Sequence, residues 1–112
     1  MPTEPIYHLT TRPDWQSALA SGSYTADSLA SEGFIHCSTA RQVLRSANRY
    51  FEGKPDVLVL TIDPDKVRPG IRFENLSGGE DLFPHIYGPL NLDAVLEVKT
   101  LTAGIDGTFS EW

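Results

Sequence analysis

One stretch limits what this chain can become more than any other: Val57-Leu58-Val59-Leu60-Thr61-Ile62, the most apolar run in the sequence. Apolar and polar residues do not alternate along it, so it predicts a central strand covered on both faces. Asp63-Pro64 stops it, because proline cannot donate to a ladder. With 112 residues the chain has the length for one contiguous core without covalent staples, and we expect a single domain over 1–112.

Helical patterns lie mostly ahead of that run. Thr11-Arg12-Pro13-Asp14 has helix-start chemistry, Trp15, Ala18 and Leu19 follow at helical spacing, and Gly22 supplies the stop. The spacing over 25–32 predicts a second short helix capped by Thr25 and ended by Gly33. Thr39-Ala40-Arg41-Gln42 fits a capping box, in which a hydroxyl and a glutamine three residues on satisfy each other's backbone donors. Behind it, Val43, Leu44, Ala47, Tyr50 and Phe51 make one apolar face, with Gly53 as terminator.

Strand patterns dominate the rest. Residues 6–10 read as a first strand and 33–39 as a buried strand entered from a glycine turn. Ile71-Arg72-Phe73-Glu74 follows the turn-forming Arg68-Pro69-Gly70, and Ser77-Gly78-Gly79 reads as a mobile loop. Residues 83–88 and 94–101 give two more strands, with Pro89-Leu90-Asn91 as a turn between them, and 104–112 carries no pattern that assigns it. The fold class is therefore α+β: a mainly antiparallel, split β-sheet with about three helices in the N-terminal half.

Composition narrows the partners. Hydrophobic residues make up 40% of the chain and charged ones 21%, inside the globular range. A net charge of -6 disfavours nucleic acid and anionic membranes, since both need clustered Lys and Arg. The single cysteine, Cys37, forms no intramolecular disulfide, and its default role is a buried structural thiol. The first residues have neither a basic n-region nor an apolar h-region, and no apolar run approaches bilayer-spanning length. The expectation is a soluble cytoplasmic protein.

The chain has three histidines, His8, His36 and His85, and each lies in the middle of an apolar segment. Imidazole titrates near neutrality and can donate, accept or coordinate, so one pocket holding all three would suit acid–base chemistry or ligand binding. For any one of them alone, a packed histidine bonded to a carbonyl is the simpler reading. A three-histidine zinc site lacks its usual signals, helically spaced histidine pairs and a CxxC, so no metal is expected. Around the histidines, Ser38 and Thr39 are helix caps or an anion-holding helix start, with Arg41 and Arg45 one turn apart beside them. Tyr87 packs, or stacks on a planar ligand ring. Glu80 and Asp81 are solvated loop acids or the source of a carboxylate for His85.

At these residues the chain resembles a known family. Ile6-Tyr7-His8-Leu9, Ser28-Leu29 with Glu32-Gly33-Phe34-Ile35-His36-Cys37-Ser38-Thr39, and Phe83-Pro84-His85-Ile86-Tyr87-Gly88-Pro89-Leu90-Asn91 are similar to the motifs of a small bacterial family, domain-of-unknown-function family nine-five-two. That family is similar in fold to the ADP-ribosyltransferases, which bind NAD between the halves of a split sheet. The resemblance implies that His8 holds a ribose, His36 stands where an aromatic packs on nicotinamide, and His85 stands where a catalytic glutamate usually sits. A protonated imidazole there would repel an oxocarbenium charge, whereas a neutral one can still accept a ribose hydroxyl bond. Branches lacking the glutamate include RNA 2'-phosphotransferases, so NAD chemistry survives the replacement. The implied catalytic set is His8, His36 and His85; the implied nucleotide contacts are His8, Ser38, Thr39, Arg41 and Tyr87. The competing expectation is a non-catalytic module binding a small ligand or a partner, with the histidines as packed core groups.

Overall fold

The computed structural model describes residues 4–76 and 79–112, so Ser77 and Gly78 of the expected mobile loop lie outside the described residues. Strand β4 (Val57–Ile62) is the central strand of a three-stranded antiparallel sheet, flanked by β1 (Ile6–Thr11) and β8 (Val95–Leu101). Its unbroken hydrophobicity has the expected cause. Leu60 and Ile62 enter one core cluster on one face, and Val57 and Val59 enter a second on the other. All four side chains are at most 1% exposed. Full burial of each contributes about 1.5–3 kcal/mol.

Helix α1 (Arg12–Ser21) and α2 (Asp27–Glu32) sit on the side of the first cluster, which also takes Ala18 of α1 and Tyr24 of β2 (Ser23–Tyr24). Helix α3 (Val43–Tyr50) covers the second cluster with Val43 and Ala47. The unassigned C-terminal stretch completes that side: Phe109 is buried there, its amide and carbonyl held by Asn48 of α3 at 2.7 and 2.8 Å.

A second three-stranded sheet, in the order β3-β6-β5, is built from β3 (Ile35–His36), β6 (Phe83–Tyr87) and β5 (Gly70–Glu74). All the named strand pairs are antiparallel. Among the described residues one isolated backbone bridge joins the two sheets, Tyr7 to Ser38, with hydrogen bonds of 2.8 and 2.7 Å, while Ile6, Leu60 and Ile62 of the first sheet and Ile35 and Ile86 of the second share one core cluster. Beyond the bridge the ladder stops and the sheets part.

Several local expectations need correction. Pro89-Leu90-Asn91 is not simply a turn: β7 (Leu90–Asn91) pairs with β2, since Leu90 is fully buried and its backbone needs a partner. Helix α2 starts after Ala26, with no side-chain cap from Thr25. The capping-box segment first winds as a 3-10 turn, Ala40–Gln42, and becomes α-helical only at Val43. The predicted strand over 33–39 shrinks to Ile35–His36, because Gly33 still closes α2 in a left-handed conformation and the last bond to β6 runs from the Cys37 amide to the carbonyl of Pro84, which has no N–H to return.

Candidate functional site

The parting of the sheets opens a broad cleft of about 1030 Å³, lined from both sheets and from α3, and His8, His36 and His85 all face it. Each imidazole arrives by a different route. His8 on β1 shares its face with Ile6 and Thr10, and its ring bridges the split. Its Nδ1 lies 2.5 Å from the His36 carbonyl oxygen, two residues before the isolated bridge at Ser38. Its Nε2 lies 2.7 Å from the Tyr24 hydroxyl, and Thr10 Oγ1 lies 2.9 Å further along. A carbonyl only accepts, so Nδ1 carries the proton of neutral His8 and Nε2 accepts from Tyr24. Burial pushes the imidazole down to about 4, against the opposing pull of the His36 carbonyl, so at neutral pH the ring is uncharged. Burial likewise pushes the Tyr24 hydroxyl up to about 12 and keeps it protonated.

His36 and His85 are directly paired residues of β3 and β6, their ring centroids 5.1 Å apart and nearly perpendicular. His36 is not buried, as its place in an apolar segment implied: its side chain is 53% exposed, because Ile35 and Cys37 take the inward face of the short strand. Its Nε2 bonds Glu32 Oε2 at 2.9 Å. His85 is buried, stacked on Phe34 at 4.2 Å, with Nδ1 3.0 Å from Glu74 Oε1. The Tyr87 hydroxyl donates to the same Glu74 oxygen. Hydrogen bonds from Tyr87 and then His85 hold the Glu74 carboxyl below the usual carboxylate range. Two imidazoles, each with its own carboxylate, therefore meet in one cleft.

Sequence reading missed both carboxylates. Glu32 stands four residues before His36, but the intervening Gly33 ends α2, and only the turn it makes brings the two together. Glu74 meets His85 by strand register: Phe83 opposes Glu74 and His85 opposes Arg72, a diagonal contact invisible without the pairing. Of the two acids expected there, Asp81 instead pairs with Arg45 at 2.7 Å. Ser38 lines the cleft, its hydroxyl 3.2 Å from Ser46. Thr39, Arg41 and Tyr87 do not line it. The Thr39 amide donates to Gln42 Oε1, Arg41 is exposed on the 3-10 turn, and Tyr87 buttresses Glu74 from behind. Cys37 is buried, which pushes its thiol far up. Among the described residues no group of three or more His, Cys, Asp or Glu is arranged to hold a metal ion, and no helix is long and apolar enough to cross a membrane.

Fold and site together define a small α+β protein whose histidine–carboxylate cleft lies where two antiparallel sheets separate. The chain belongs to the family described as Protein of unknown function (DUF952), which it matches over residues 9–98, a span that includes His36 and His85 and begins just after His8. It is similar to protein CC0527 from Caulobacter crescentus, a structural-genomics target. The crystal structure of that protein is 28% identical with a TM-score of 0.86, over 95% of this chain and 93% of that one. Its solution NMR structure gives a TM-score of 0.81 over 93% and 90% of the two chains. No curated protein matches the chain.

Proposed function

We propose that the cleft binds a nucleotide of the NAD class and that the protein is an ADP-ribosyltransferase-like domain, transferring an ADP-ribosyl group or cleaving the glycosidic bond. The observation that carries this reading is the position of the cleft: it opens where the two sheets part, with His8 from one sheet and His36 and His85 from the other. The half-exposed ring of His36 offers a surface for nicotinamide, and His85 stands beside it for the ribose. Arg49 and Lys54 also line the cleft, as do Glu32, Glu74 and Glu80, and Arg45 lines it with its charge paired to Asp81.

His8 has a different part from the one its resemblance implied. With one nitrogen on the His36 carbonyl and the other on Tyr24, it has no free edge for a ribose, and its neutral ring acts as a prop across the split. That observation favours the packed-group reading for His8, and a module that binds without catalysis is the second reading of the cleft as a whole.

Isothermal titration of the folded chain with NAD tests the proposal. Saturable heat is expected, lost in His36→Ala and His85→Ala; no heat at millimolar NAD overturns it. Release of nicotinamide during incubation with NAD separates the enzyme from the binding module, which would bind without release.

A further inference from the structure

The surroundings of His85 identify a further residue with a part in the proposed reaction and the class of acceptor that reaction takes. Glu74 Oε1 receives two hydrogen bonds, from His85 Nδ1 at 3.0 Å and from the Tyr87 hydroxyl. A carboxylate only accepts, so the proton of neutral His85 is on Nδ1 and its lone pair is on Nε2, across the ring from Glu74. The ring has little freedom to turn. Phe34 stacks on it at 4.2 Å and 20°, His36 closes edge-on at 5.1 Å, and the side chain is 5% exposed. Glu74 is itself fixed by Tyr87, whose ring lies 5.3 Å from Phe34 and carries the Arg72 guanidinium 5.1 Å from its centre.

We propose that Glu74, steadied by Tyr87, is a positioning residue that holds His85 in the Nδ1-protonated form, so that Nε2 serves as the base for a hydroxyl-bearing acceptor, water or an alcohol. This rests on the NAD reading above. In the step it serves, the acceptor's O–H proton passes to His85 Nε2 as the acceptor oxygen bonds to the ribose carbon. The bond from that carbon to the nicotinamide nitrogen breaks, and its electron pair leaves with neutral nicotinamide. The positive charge of the pyridinium is thereby replaced by one proton on the imidazole, which the Glu74 carboxylate faces directly. A carboxylate acceptor needs no base, so it is not the acceptor this arrangement serves.

The test uses the whole chain and has two readouts. Long-range nitrogen–proton NMR at pH 7 reports the His85 tautomer without any ligand. The Nδ1-protonated form is expected in the wild type and its loss in Glu74→Ala; the opposite tautomer in the wild type overturns the proposal whatever NAD does. Glu74→Gln, which keeps the shape and an acceptor but removes the charge, is then expected to slow nicotinamide release at least tenfold while the NAD titration is unchanged. An unaltered release rate overturns the role of Glu74. If the wild type shows the expected tautomer but binds no NAD, the nucleotide reading falls and the acceptor role falls with it, which distinguishes that failure from a wrong tautomer.

Discussion

His8 is the residue whose chemistry is most tightly set by its surroundings. Its folded imidazole protonates near 4 because burial removes water from the charged form, whereas the ordinary value is 6.5. Between those values the unfolded chain binds the extra proton. The stability that neutral His8 gives is therefore complete above about pH 6.5, is lost as pH falls towards 4, and levels off below that. The gap corresponds to on the order of 3 kcal/mol. Urea unfolding from pH 7.5 to 4 is expected to show the wild type losing more stability than His8→Gln, which cannot titrate there; parallel pH profiles would sink this account. The sequence displayed all three histidines as unusual, each set in an apolar segment. It did not display that one would be sealed by Tyr24, one exposed beside Glu32 and one packed on Phe34. Those partners lie 4 to 51 residues away in the chain, and burial depends on which face a two-residue strand turns inward.

Among the elements, α2 and the turn behind it show how a helix end builds the site. Gly33 has a φ of +90° and its amide donates back to the Ser28 and Leu29 carbonyls, the left-handed cap that glycine adopts without a Cβ penalty. Ser28 Oγ then bonds the Phe34 carbonyl at 2.7 Å, and the chain reverses so that Glu32 meets His36. Gly33→Ala is expected to cost about 1 kcal/mol and to shift the His36 ring resonances, because the strained turn moves Glu32. A denaturant midpoint equal to the wild type's would refute that. Glycine stops of this kind were readable in advance at Gly22 and Gly33 because the requirement is local to the backbone. The pairing of β2 with β7 was not, since four residues with no period carry no signal until their distant partners are known.

At the scale of the whole molecule, among the described residues one backbone bridge joins the two sheets, and Cys37 lies next to it, buried at 4% exposure with its thiol pushed far above the usual range. A thiol reagent is therefore expected to label the folded protein about a thousandfold more slowly than the unfolded chain, its rate following global opening. Rapid labelling under native conditions would mean that the seam between the sheets opens by itself. What the sequence determined alone was the central strand, the helix stops, the α+β class and the identity of the three imidazoles, because each depends on patterns a few residues long. Only the tertiary structure decided where the sheets part, which carboxylates stand behind His36 and His85, and that His8 props the split. Strand register and packing bring together groups that no spacing along the chain connects.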